Sequence, residues 1–228
     1  IPGISAKTPQ GDRHGPDPVP LKALLDVIPD LSMVKGYLDT AENDFLKYRL
    51  IPVVETSRGC PHACRFCSVS AMYGRHFKAK SVESSVADFM HQVMKRDVMA
   101  PAIFLVDDNF GTQRDRAIAI LRKIGEARLK VNVLIQLRAE SSRDTELMEA
   151  LASVRPNGAF AWLGLESVCD EALKDYDKKQ TVETMRQDVL AFRQYGIEVN
   201  GNFVVGGDLD TAESIKAIAD FSIETDLL

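Results

Sequence analysis

The sequence predicts an α/β protein built as a partial, open barrel of alternating strands and helices, and three observations carry that prediction. Five apolar runs of strand length recur between residues 51 and 205, separated by amphipathic stretches of helix length. Such a succession argues for a parallel sheet with right-handed crossovers. Several of these runs place polar side chains on one of their two faces, which a doubly wound sheet, covered by helices on both faces, does not favour. Finally, Cys60, Cys64 and Cys67 crowd together just after the first run, at the strand ends where a parallel barrel carries its chemistry.

Composition sets the outer bounds. A chain of 228 residues that is 45% hydrophobic and 27% charged can bury one sizeable core and has no disordered character. Its 28 basic residues against 33 acidic give a net charge of -5, with no long basic block. The electrostatic footprint of a nucleic-acid binder is therefore missing, and nucleic acid is not the expected partner. The longest apolar runs are strand-sized, so neither a membrane span nor a signal peptide is expected, and the sequence reads as cytoplasmic.

Residues 1–50 read as a linker and lead-in. The first twenty carry five of the ten prolines and three glycines, a composition suited to an extended connector. Leu21 to Leu25 and Leu31 to Phe45 have patchy helical spacing and are expected to form short helices. The core follows as residues 51–228. Its strands are expected at Ile51 to Val54, Ala102 to Val106, Val131 to Leu137, Ala159 to Leu165 and Val199 to Val205, by length and by content of β-branched and aromatic residues. Helical spacing marks Val82, Val86, Phe89 and Val93, then Ala117, Ile120, Leu121 and Ile124. It marks Leu147, Met148 and Leu151, then Met185, Val189 and Phe192, and last Ile215, Ile218 and Phe221. Thr181 precedes the fourth helix, and Asp210 with Glu213 has the form of a capping box before the fifth. Within the third strand Asn132, Leu134, Gln136 and Arg138 share a face, and Asn200 and Asn202 share one in the fifth. These polar faces suggest a lumen, which Phe160 and Trp162 could also line, although core packing suits that pair better.

The cysteines fall at C-x3-C-x2-C spacing on a loop bent by Gly59 and Pro61. A disulfide explains them poorly, because any pair leaves a third thiol, and 4 Cys in 228 residues is not the density of a stapled secreted domain. An iron-sulfur cluster fits the spacing best. Zinc held with His62 as fourth ligand, or unliganded thiols, remain as alternatives. Cys169 lies outside the spacing and reads as structural; His76 reads as an exposed or packing histidine.

The run Ser57-Arg58-Gly59-Cys60-Pro61 through Phe66-Cys67, with an aromatic residue before the last cysteine, resembles the cluster loop of the radical S-adenosylmethionine (SAM) enzymes. The resemblance implies a (β/α)6-type core, truncated here after about five units, with a sixth strand and helix lost beyond Leu228. It implies a [4Fe-4S] cluster held by Cys60, Cys64 and Cys67, whose fourth iron takes the amino and carboxylate groups of SAM. One electron then passes to the sulfonium, and a 5′-deoxyadenosyl radical abstracts hydrogen. Carried onto this sequence, Asp107, Asp108 and Asn109 stand where the family has a Gly-Gly-Glu-like motif for the SAM amino group, and their shorter side chains depart from it. Glu166 and Ser167 match the position that contacts the ribose or methionyl part. Gly201, Phe203 and Gly206 resemble the Gly-x-Ile-x-Gly region near adenine, with Phe203 in place of the aliphatic residue. Arg138 is a candidate partner for the SAM carboxylate or a substrate anion, and a structural salt bridge suits it nearly as well.

The Ser-Arg-Gly-Cys-Pro, Val-Asp-Asp-Asn-Phe and Gly-Leu-Glu-Ser segments are similar to the cobalamin-associated branch of that family. The resemblance implies a methyltransferase or related radical enzyme acting on a small molecule or lipid. Cobalamin would sit on an N-terminal domain not in this chain, and flavodoxin or ferredoxin would serve as electron donor. Two other readings stay open: a non-catalytic zinc or iron-sulfur scaffold, and a methylthiotransferase-like RNA modifier.

Overall fold

A computed structural model describes residues 5–8, 11–14, 26–30, 51–94, 102–154 and 159–227. At the head, β1 (Ser5–Thr8) and β2 (Gly11–His14) pair antiparallel, where the sequence reads as an extended connector. The prolines of this stretch fall outside both paired segments, so every ladder donor is kept. The two expected lead-in helices lie outside the described residues. Between them, residues 26–30 are fastened to the core. Ser81 N–H donates to Asp26 at 3.0 Å, and Lys80 Nζ donates to the Val27 carbonyl at 3.0 Å.

The central sheet contains β3 (Val53–Val54), β6 (Ala102–Leu105), β7 (Asn132–Leu137), β8 (Ala159–Glu166) and β9 (Glu198–Phe203). All four pairings are parallel, and the spatial order is the chain order. A doubly wound sheet reverses its order at a switch point; this one does not. Each crossover therefore advances in the same direction, as in a barrel wall. The fifth strand stops at Phe203, two residues short of the expected end.

A small antiparallel ribbon, β4 (Ser57–Arg58) with β5 (Lys78–Ala79), brackets the cysteine loop. The helices are α1 (Ser68–Tyr73), α2 (Val82–Met94), α3 (Arg114–Glu126), α4 (Thr145–Ser153), α5 (Asp170–Asp175), α6 (Val182–Gln194) and α7 (Ala212–Glu224). Thr181 caps α6 in a reciprocal box with Thr184, as its position suggests. The box on α7 is shifted by one residue, to Thr211 and Ser214. Asp210 is otherwise engaged, accepting the N–H groups of Gly206 and Gly207 at 2.7 and 2.9 Å.

One apolar core joins sheet and helices. Strand residues Ile103, Leu105, Val133, Ile135, Leu163, Leu165 and Val199 pack in one cluster with Ile120, Leu121, Leu151, Val189 and Phe192 of the helices. The opposite sheet face is more open: β7 alternates between half-buried Asn132, Leu134, Gln136 and buried Val133, Ile135, Leu137. Gln136, Trp162 and Asn200 are paired neighbours in register across β7, β8 and β9. The polar face expected from the sequence is thus the face turned from the helices.

Candidate functional site

The cysteine loop is built tightly at its entrance. Gly59 adopts φ +88, and a Cβ placed there would stand 2.0 Å from the His76 carbonyl oxygen. Its N–H donates to Asp108 at 2.7 Å, tying the loop to the end of β6. Gly59→Ala combines a left-handed backbone with a backbone clash, each costing about 1–3 kcal/mol. The expected result is a lower melting temperature and reduced iron uptake, both measurable on the same preparation. Wild-type values for both would show that the loop tolerates displacement here.

Farther along, Cys67 N–H bonds the Cys64 carbonyl at 3.1 Å, and Cys67 is the N-cap of α1. Phe66 meets Tyr176 edge to face at 5.3 Å, Arg65 N–H donates to the Tyr176 carbonyl, and the Arg65 side chain pairs with Asp175. The loop therefore docks on the segment that follows β8.

All three thiols are half-buried, free of disulfides, and face one cavity of about 310 Å³, at the small end of the usual range for small-molecule sites. Asp108, Asn109, Gln136, Arg138, Trp162, Glu166, Lys178 and Asn202 line it as well, so every strand-end element contributes. Burial pushes the Cys60 thiol up, against the pull of Arg138 and a backbone hydrogen bond at His62. Coordination to iron would offset that penalty, since a coordinated thiol is held as thiolate. Burial pushes His62 down, and Arg138 adds to the effect.

Among the described residues, no three His, Cys, Asp or Glu side chains converge tightly enough to share one ion. The residues present fit a cluster with a small polar ligand beside it. Asn109, which lines the cavity, has its Oδ1 buried without a hydrogen-bond partner among the described residues, and an unmet acceptor of that kind invites a donor.

Four of the nine residues expected to bind cofactor line the cavity: Asp108, Asn109, Arg138 and Glu166. Glu166 ends β8 at a register shift, with φ +68, and its carboxylate pairs with Lys178 at 3.0 Å in a buried setting. Strain of this kind gathers at functional sites. A Cβ on Gly164 would come within 2.4 Å of Glu166 Oε1, so glycine there leaves room for the pair. Arg138 pairs with Glu140 and places Nη1 3.7 Å from Cys64 Sγ.

The other five are placed outside the lining. Asp107 is fully buried and accepts Thr56 N–H at 2.7 Å and the hydroxyls of Thr56 and Ser57, holding the turn after β3 against β6. Burial pushes its carboxyl up despite those bonds. Ser167 accepts the Cys169 N–H at 3.2 Å. Gly201 faces the core, where a Cβ would meet Leu227 at 2.8 Å and Leu165 at 2.9 Å. Phe203 packs on Phe221 of α7, and Gly206 turns the loop beyond β9 at φ +101. Trp162, by contrast, reaches the cavity and stacks at a tilt on Phe104, 5.0 Å away. Lys178 was not foreseen; the signal was a carboxylate, Glu166, at the end of an apolar strand, which calls for a cation.

The model of the radical SAM superfamily matches residues 54–222, most of the described core. The chain belongs to the radical SAM superfamily. Members use a [4Fe-4S] cluster and SAM. An uncharacterized methyltransferase of Pyrococcus horikoshii is 28% identical over 227 residues, covering 99% of this chain and 47% of the relative. The hopanoid C-3 methylase of Methylococcus capsulatus is 30% identical over 193 residues, covering 79% of this chain and 35% of the relative. Among solved structures, the cobalamin-dependent radical SAM enzyme OxsB, with aqua-cobalamin and SAM bound, superposes with a TM-score of 0.70 at 22% identity, covering 97% of this chain and 32% of that one. The fold expected from the sequence is thereby shown. This radical SAM core spans less than half the length of each of these relatives.

Proposed function

We propose that this chain is the cluster-bearing core of a cobalamin-dependent radical SAM methyltransferase that alkylates carbon on a small molecule or lipid. One observation carries most of the weight: relatives that align over most of this chain are named methyltransferases or methylases. Cys60, Cys64 and Cys67 would hold the cluster, which supplies, when bound, a low-potential electron to the sulfonium of SAM. Asp108 binds the loop through one carboxylate oxygen and keeps the other for the SAM ammonium group, beside Asn109 Oδ1. Glu166, pinned by Lys178, is an acceptor for ribose hydroxyls. Trp162, backed by the tilted ring of Phe104, gives the cavity an apolar wall on which a planar or aliphatic substrate can rest.

In this reading cobalamin is carried by a domain outside the chain, flavodoxin or ferredoxin delivers the electron, and a reducing cytoplasm protects the thiols. Among the described residues no helix is long and apolar enough to cross a membrane. The test is anaerobic reconstitution followed by product analysis under strong reductant. SAM should yield methionine and 5′-deoxyadenosine, slowly without substrate, and the full-length protein should copurify with corrinoid. A complete [4Fe-4S] cluster that never cleaves SAM, in this chain or at full length, would return the scaffold reading. Cleavage without any bound corrinoid would remove the cobalamin assignment alone.

A further inference from the structure

We propose that Arg138 is a positioning residue that donates to the Cys64 thiolate and eases one-electron reduction of the cluster, while Glu140 sets how much of that positive charge the thiolate feels. The inference rests on the cluster assignment above and goes beyond it. Arg138 is the first residue past β7, and its side chain is only 13% exposed. Glu140 Oε1 accepts from its Nε, which fixes the guanidinium plane and leaves Nη1 aimed at Cys64 Sγ, 3.7 Å away. Among the described residues neither Cys60 nor Cys67 has a comparable side-chain donor. The contact joins positions 74 residues apart, so it is made by the fold and not by the loop itself.

Reduction adds one negative charge to the cluster and its thiolates. Hydrogen bonds to sulfur and local net charge are main determinants of cluster potential. A buried cation donating to one thiolate stabilises the reduced form, and a carboxylate beside that cation offsets it. Glu140 is well placed to do so, because its Oε2 is buried without a hydrogen-bond partner among the described residues. The electron comes from an external low-potential donor, which is oxidised by one electron; no bond is made or broken in this step.

Two substitutions should therefore move the potential in opposite directions. The reconstituted chain, at matched iron content, is titrated with dithionite or titanium(III) and the reduced cluster followed by electron paramagnetic resonance. Arg138→Gln should disfavour reduction about tenfold, a shift of about 59 mV to more negative potential for one electron. Glu140→Gln should shift it to more positive potential, and Arg138→Lys should stay close to wild type. If Arg138→Gln does not hold a cluster, the Lys and Glu140 variants carry the test through the same two signs. Midpoints unchanged, or moving in the same direction in both charge variants, would overturn the inference while leaving the cluster in place. A wild-type chain that assembles no [4Fe-4S] cluster would overturn it together with the proposed function.

Discussion

Alanine at any one of Cys60, Cys64 or Cys67 is expected to abolish cluster loading and SAM cleavage together. The three thiols leave one loop and face one cavity, and three thiolates are the fewest that can hold a cluster whose remaining iron stays open to SAM. His62 lines the same cavity and is kept toward its neutral form by burial, so it is a nearby group that could substitute. Its backbone position between Cys60 and Cys64 works against this, since it would have to fold back over its own loop. Iron should fall from about four per chain to well under half that number, and 5′-deoxyadenosine to the level of the protein-free control. Cys169→Ala is the internal comparison: that thiol lies 3.2 Å from Glu171, outside the lining, and its loss should leave both readouts intact. A single-cysteine variant that keeps its iron and cleaves SAM would remove the three-ligand assignment.

Much of this arrangement was legible in the sequence because strand parity is a strong constraint. Alternation in β7 separated the half-buried Asn132, Leu134 and Gln136 from the buried Val133, Ile135 and Leu137, and it pointed to a lumen. The same rule, applied fully, would have placed Gly201 and Phe203 with Val199 on the helix side; the likeness to a family motif drew them toward the ligand instead. Parity does not reach into loops. Asp107 and Asp108 are adjacent, and it is the Thr56 N–H and the hydroxyls of Thr56 and Ser57, some fifty residues upstream, that hold Asp107 inward. The β4–β5 ribbon has two residues per strand, too few to show any alternation. Arg116 of α3 donates to the Thr56 and Lys80 carbonyls, which flank the ribbon.

Lys178→Met is expected to destabilise the fold more than any surface change, by about 3–5 kcal/mol, because it strands a buried carboxylate. Lys178 and Glu166 have side chains only 4% and 10% exposed, and Lys178 Nζ also donates to the Gly164 carbonyl at 2.9 Å. Removing the ammonium group leaves both acceptors unmet at the point where β8 shifts register and Glu166 holds a left-handed backbone. For a chain of this size about 2–4 °C of melting temperature is lost per kcal/mol, so a drop of roughly 6–20 °C should appear in thermal unfolding. Neutralising the carboxylate as well should recover part of it: the double variant Lys178→Met, Glu166→Gln removes the uncompensated charge. The recovery should be confined to stability. Glu166 faces the cavity, so the double variant should still bind SAM more weakly than wild type, as read by equilibrium dialysis on the reconstituted protein. Strictly additive losses in the double variant, or a single-variant loss under 1 kcal/mol, would show that the pair is solvated in solution and that the cavity wall is held by other contacts.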